Sequence, residues 1–134
     1  MPTQLTSAFE NSPFAITLLS ENIEVSKDFY QNKLGLAKVF EDEVSAVFRC
    51  GQTMINLLAE TQGPELLEPA KVAPANAGTR ALFTLKCAEI DQAAAELEAA
   101  GVKLLNGPID RPWGVRTVSF LDPSGHAWEL ANHS

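Results

Sequence analysis

Short apolar segments of strand length surround two stretches in which apolar side chains recur at helical spacing. Residues 14–19 are the first such strand, and Asn22 then offers a side-chain oxygen that can cap a helix. Gly35 ends that helix, since glycine readily takes the left-handed conformation at a helix terminus. Its inner face is indicated by Ile23, Ser26, Phe29, Tyr30 and Leu34. Three more strands are predicted over 36–41, 44–49 and 53–58.

The same order of elements then begins again. A strand is predicted over 80–85, followed by a helix that ends at Gly101. The apolar stripe of this helix consists of Ile90, Ala93, Ala94, Leu97 and Ala100. Further strands are predicted over 102–105, 115–121 and 126–131, with a tight turn at residues 122–125. The chain therefore reads as one domain over 1–134, with modules at 14–59 and 80–131 joined by a linker over 60–79.

This pattern predicts an α+β fold in which two βαβββ modules form a curved mixed sheet around a cavity. One helix covers only one face of its sheet, so the other face meets the second half of the chain, a partner chain or a ligand. Because alternate side chains of a strand point to opposite faces, Ile16, Leu18, Ile55, Leu57 and Trp128 are expected to pack inward. The same parity leaves Thr17, Asn56, Arg80 and Glu129 facing the cavity.

Composition narrows the class of partner. A formal net charge of −7 would repel a phosphate backbone, so nucleic acid is excluded as a partner. No apolar run approaches the length of a membrane span, and the first thirteen residues lack the layout of a signal peptide. We therefore expect no membrane association and a cytoplasmic location, with Cys50 and Cys87 as reduced thiols.

Two motifs carry a family resemblance. The first is Ile23-Glu-Val-Ser26-Lys-Asp-Phe29-Tyr30-x3-Leu34-Gly35-Leu36. The second is Pro112-Trp113-Gly114-x-Arg116-x3-Phe120-x-Asp122-Pro123-x-Gly125-x3-Glu129-Leu130. Together they resemble the vicinal oxygen chelate superfamily, which includes glyoxalase I, extradiol dioxygenases and the bleomycin-resistance proteins. The resemblance covers residues 14–131 and implies paired βαβββ modules, usually in a homodimer, but it implies no particular reaction.

Metal enzymes of that superfamily place His or Glu on four cavity-facing strands. The resemblance puts Ala15, Asn56, Arg80 (or Leu82 if the register slips) and Glu129 at those positions. Only Glu129 suits a metal ion, since catalytic zinc needs about three protein ligands and alanine donates nothing. His126 has the opposite strand parity to Glu129, and His133 lies four residues beyond it. We therefore expect no metal and no cofactor.

The candidate site residues have competing structural roles. Glu129 is either a general base, an acceptor for a cationic ligand, or a partner of Arg80 or Arg116 in a salt bridge. Trp113 either stacks on a planar ligand at the cavity rim or plugs the second sheet. Arg116 either binds a carboxylate or phosphate, or forms a surface ion pair.

These residues favour a metal-independent protein that binds a small planar organic molecule, resembling the bleomycin-resistance proteins that act by sequestration. The alternative is an enzyme of lyase or dioxygenase type with a degenerate metal site. A third reading is a catalytically silent dimeric module whose cavity is filled by its own side chains.

Overall fold

The computed structural model describes residues 5–133, and its elements follow the predicted order. The first half contains α1 (Leu5–Phe9), β1 (Ala15–Ser20), α2 (Ile23–Asp28), β2 (Ala37–Glu41), β3 (Ser45–Cys50) and β4 (Thr53–Ala59). The connecting segment forms a 3-10 turn (Glu60–Gln62) and a short helix α3 (Gly63–Leu67). The second half contains β5 (Leu82–Lys86), α4 (Ile90–Ala99), β6 (Leu104–Asp110), β7 (Arg116–Leu121) and β8 (Ala127–Ala131).

Each half forms its own four-stranded mixed sheet, in the order β1-β4-β3-β2 and β5-β8-β7-β6. The first strand of each half runs parallel to the last, and the remaining pairs are antiparallel. The predicted α+β class with two βαβββ repeats is confirmed, as two separate sheets rather than a closed barrel. No helix within residues 5–133 is long and apolar enough to cross a membrane.

Two local predictions differ from the structure. The connection between the halves, predicted as a linker, contains the short helix α3. Proline in its first turn favours the start of this helix. Strand β6 covers Leu104–Asp110, whereas the sequence pattern predicts a strand over 102–105. The register of β6 against β7 shifts at this point, and Gly107 has a φ of +93°. A Cβ at Gly107 would lie 2.5 Å from the Thr117 carbonyl oxygen, so this bulge requires glycine.

Helix α2 is fixed at both of its ends. The side chain of Asn22 accepts a hydrogen bond from the Val25 amide at 3.3 Å, as the sequence predicts. Beyond Asp28 the helix continues as one π-helical turn over Phe29–Lys33, closed by the Leu34 amide bonding to the Phe29 carbonyl at 2.9 Å. Phe29 and Tyr30 in this turn are both buried.

One apolar core joins the two halves. Its buried members come from both sheets and from the end of α2: Leu18, Phe29, Tyr30, Ala46, Phe48, Ile55, Leu57, Val102, Phe120 and Trp128. A second, smaller cluster of Ile90, Ala94 and Val118 lies between α4 and the second sheet. The predicted strand parity is therefore correct on the helix side of both sheets.

A buried hydrogen-bond chain crosses this core. The Tyr30 hydroxyl donates to Asp122 at 2.6 Å and accepts from the Trp128 indole N–H at 2.9 Å. Burial, followed by the charge of Asp122, raises the pKa of Tyr30. Burial opposes ionisation of Asp122, but the hydrogen bonds from His126 and Tyr30 outweigh it and hold the pKa of Asp122 below its usual range.

Tyr30 makes stability depend on alkaline pH. An unfolded tyrosine has a pKa of about 10, and the folded pKa is higher, so the stabilisation is full below pH ~10 and falls as pH rises further. Tyr30 is the chain's single tyrosine. We therefore expect tyrosinate absorbance to appear only as the fold is lost, followed in parallel by circular dichroism.

Tyr30→Phe is the matched variant for this prediction. At neutral pH it should lower the free energy of unfolding by about 1–3 kcal/mol, because Asp122 and Trp128 lose their buried partner. Its stability should also fall less steeply above pH ~10 than that of the parent chain. Tyrosinate absorbance in a protein that keeps its native circular dichroism would contradict the assignment.

Candidate functional site

Each sheet has one face that its helix does not cover, which we call the open face. On the first sheet the cross-strand register places Thr17, Asn56 and Val47 side by side. On the second sheet the equivalent row is Thr84, Glu129 and Ser119. Thr17 bonds to Asn56 at 3.2 Å, and Thr84 bonds to Glu129 at 2.9 Å. The two halves thus repeat one arrangement, and only the second carries a charge in it.

An open groove of about 470 Å³ runs over the second open face, and we call it the Glu129 groove. Its polar lining includes Arg80, Asn106, Arg111, Ser119 and Glu129. Arg80 and Glu129 were predicted from the sequence to face the cavity, and they line this groove together. Neither arginine forms an ion pair with Glu129, so the charged groups lie apart within the described structure.

A second groove, of about 370 Å³, lies between β1, the connecting segment and the start of β5. Thr17 and Leu19 line it from β1, and Lys71 lines it from the connection. Residues 79–81 line both grooves, so Arg80 borders each of them. Of the predicted first-sheet residues, Thr17 reaches this second groove, whereas Asn56 lies on the open face beside it in register.

Arg111 is a site residue that the sequence analysis missed. Its Nε donates to the Thr117 hydroxyl and its Nη2 to the Asn106 side-chain oxygen, both at 2.9 Å. These bonds fix the guanidinium over the second open face. No sequence signal separated Arg111 from its neighbours, because it follows the β6 bulge that the pattern did not predict.

Arg116 lies on the opposite face of the second sheet. Thr117 and Ser119 lie on the same face as Glu129. Arg116 is an odd number of residues before both on the same strand, so its side chain points to the other face. Its guanidinium forms ion pairs with Asp91 at 2.9 Å and Asp110 at 3.1 Å. The bonds to Asp91 and then Asp110 raise the pKa of Arg116. The structure does not support its assignment to the ligand site, and the surface ion pair is its observed role.

Trp113 lies in the turn between β6 and β7, and 68% of its surface is exposed. It therefore does not plug the second sheet, which was one of its two predicted roles. The turn is closed by the Gly114 amide bonding to the Arg111 carbonyl at 3.0 Å. Trp113 thus projects from the same hairpin end that holds Arg111.

The residues at the four family positions do not fit a metal ion. Among residues 5–133 no three His, Cys, Asp or Glu side chains lie close enough together to bind one. Glu129 is already held by Thr84, and Asn56 by Thr17. His126 is occupied elsewhere, since its Nδ1 lies 2.9 Å from the Asp122 carboxylate.

Comparison with known proteins agrees with this architecture. A family model described as the Glyoxalase/Bleomycin resistance protein/Dioxygenase superfamily matches residues 14–130. The chain is 34% identical over 119 residues to the uncharacterized protein YraH of Bacillus subtilis, covering 86% of this chain and 93% of the relative.

Solved structures share the fold. A glyoxalase/bleomycin resistance protein/dioxygenase from Nocardioides superposes with a TM-score of 0.81 at 22% identity, covering 96% of this chain and 92% of its own. A lactoylglutathione lyase from Agrobacterium tumefaciens superposes with a TM-score of 0.72 at 20% identity, covering 90% and 92%. At these identities the structures report on the fold alone.

The side chains at the four family positions lead to a prediction about the metal content of the protein. We expect the purified protein to carry no stoichiometric zinc, iron, manganese or nickel by elemental analysis. Chelator should also leave its melting temperature unchanged, since a metal bound to the folded state alone would stabilise it. About one equivalent of metal that is lost in Glu129→Gln would contradict the prediction.

Proposed function

Because the chain belongs to the glyoxalase/bleomycin resistance protein/dioxygenase superfamily, whose fold serves both enzymes and binding proteins, we propose that it binds a small organic molecule without a metal ion. Binding takes place on the open faces of the sheets, and the protein acts by sequestration, as bleomycin-resistance proteins do. The cysteines Cys50 and Cys87 are both free thiols, which supports a cytoplasmic setting.

The observation that carries this proposal is the position of Glu129. Its carboxylate lies in an open groove, is oriented by the Thr84 hydroxyl at 2.9 Å, and shares the groove with Arg80 and Arg111. A few polar groups converging on a concave surface are typical of ligand sites. Here the carboxylate accepts hydrogen bonds from the ligand, and the arginines attract its negatively charged edge.

Trp113 supports a planar ligand. A tryptophan exposed over 68% of its surface is unusual outside binding sites, because its large apolar ring gains by being covered. We propose that the ring stacks on the ligand at the rim of the groove, next to Arg111 in the same hairpin end.

An enzyme of lyase or dioxygenase type is the second candidate. The specific observation in its favour is again Glu129, since a hydrogen-bonded carboxylate open to a groove can take a proton from a bound substrate. The lyase among the solved structures has the same fold, which permits but does not assign that activity.

We also propose a homodimer. Strands β1 and β5 each pair on one side only, so each sheet keeps an unpaired edge within the described chain. Leu82 and Leu85 on β5 are 52% and 37% exposed. Free edges with apolar side chains are normally covered, and a second copy offers the complementary edge.

A thermal-shift screen of planar organic molecules with a charged edge tests the binding function. A ligand present at 100 times its dissociation constant should stabilise the fold by about 2.7 kcal/mol. Trp113→Ala should weaken binding by about 1–3 kcal/mol, while an exposed side chain leaves the free energy of unfolding within about 0.5 kcal/mol. Glu129→Gln should weaken binding as well.

The compounds that bind in this screen also distinguish the two candidate functions. A bound compound recovered unchanged after long incubation supports sequestration, whereas conversion that stops in Glu129→Gln supports the enzyme. Binding that is untouched by both Trp113→Ala and Glu129→Gln would place the ligand elsewhere and contradict the proposed site.

The proposed dimer can be tested directly by measuring the mass of the protein in solution. Sedimentation at micromolar concentration should give twice the 14.5 kDa mass of the chain. A charge placed on the free edge by Leu82→Lys should shift the protein toward the single-chain mass, since an edge lysine opposes strand pairing. A parent chain that sediments at 14.5 kDa would contradict the dimer.

A further inference from the structure

We propose that Ser119 and Arg111 form an oxyanion subsite at the floor of the Glu129 groove, which receives a carboxylate or phosphate of the ligand. This inference rests on the proposed binding function and deepens it, because it names the chemical class of the ligand and the atoms that hold it.

Ser119 is the first observation. It is 5% exposed, and its Oγ has no hydrogen-bond partner among the described residues. Its cross-strand neighbours are Glu129 and Asn106, both of them polar. Glu129 bonds to Thr84 instead, and the Asn106 oxygen accepts from Arg111. Buried hydroxyls are rarely left unpaired, and Ser119 is among the residues that line the groove, so we assign this hydroxyl to a group that enters it.

Arg111 is the second observation. Its two hydrogen bonds go to neutral acceptors, Thr117 and Asn106, and no carboxylate of the described residues pairs with it. Arg116 on the other face has two such carboxylates, Asp91 and Asp110. In a chain with seventeen acidic residues, an oriented guanidinium without a carboxylate is a docking point for an external anion.

The equivalent row of the first sheet lacks both the serine and the carboxylate. Val47 occupies the position that corresponds to Ser119, and Asn56 the position that corresponds to Glu129. The polar floor therefore belongs to the second half alone. Two groups on this floor, a hydroxyl and a guanidinium, donate to oxygen, and Glu129 beside them accepts.

The ligand that suits this arrangement has an oxyanion and, next to it, a hydroxyl or amine. Its oxyanion contacts Arg111 and Ser119, and its donor points to Glu129. Salicylate carries this combination on a planar ring, and salicylamide is its neutral counterpart. Phenyl phosphate presents the other common oxyanion.

Nuclear magnetic resonance titration with these three probes tests the subsite. We expect salicylate or phenyl phosphate to shift the backbone amides of Ser119 and Glu129, with salicylamide at least tenfold weaker. The anion that binds more tightly shows whether the oxyanion of the ligand is a carboxylate or a phosphate. Ser119→Ala and Arg111→Lys should each weaken that anion by about tenfold, since one removes the hydroxyl and the other the forked donor.

The stability of the ligand-free protein distinguishes a binding role of Ser119 from a structural one. Ser119→Ala should leave the ligand-free protein as stable as the parent chain or more so, because it removes an unpaired buried hydroxyl. A structural serine would lower the melting temperature instead. Arg116→Lys is the matched control, as it alters an arginine on the opposite face and should leave anion binding unchanged.

Two results would overturn the subsite. The first is salicylamide binding as tightly as both anions, which keeps a ligand site in the groove but removes its anion preference. The second is anion binding that neither Ser119→Ala nor Arg111→Lys affects. If a ligand found by thermal shift perturbs only other surfaces, the proposed function in this groove fails along with the subsite.

Discussion

The hydrogen bond between Tyr30 and Asp122 is the contact on which the arrangement of the two halves depends. It joins residues 92 positions apart at 2.6 Å, and Trp128 adds a second bond to the same hydroxyl. Asp122 also accepts from the backbone amides of Ser124 and His126, so the tight turn before β8 is fixed by the carboxylate that holds Tyr30. Removing any member would leave buried polar groups unpaired, which is costly in a core that excludes water.

This contact decides which surfaces remain for a ligand. Because α2 is clamped against the second sheet, the helix-side faces of both sheets contribute to one core, and the smaller cluster under α4 covers the rest of the second sheet. The opposite faces carry polar pairs at the surface, Thr17–Asn56 on the first sheet and Thr84–Glu129 on the second. A duplicated scaffold held together on one side can therefore diverge on the other while its core is kept. The exchange of Val47 in one half for Ser119 in the other is such a divergence.

Much of this architecture could be predicted from the sequence because strand parity and helical spacing are local properties. They predicted that Leu18, Ile55 and Trp128 are buried and that Glu129 lies on the opposite face. The position of Arg111 has a non-local cause. Strand parity tells which residues of one strand share a face. It does not give the register between β6 and β7, which depends on the bulge at Gly107. Arg111 follows that bulge and lies over the face of Glu129, whereas Arg116 is set on the other face by the parity of β7 itself.

The cost of holding Arg111 without a counter-charge limits how the groove can work. Its guanidinium is tolerated because Thr117 and Asn106 satisfy two donors and water reaches the open groove. A ligand must displace that water, so the anion contact alone yields specificity more than affinity. Sequestration needs tight binding, and the additional free energy has to come from apolar contact. In the proposed site this contact is assigned to the ring of Trp113, which is exposed at the end of the β6–β7 hairpin. The proposed site thus divides the two tasks, with charge at the floor for selection and stacking by Trp113 for retention.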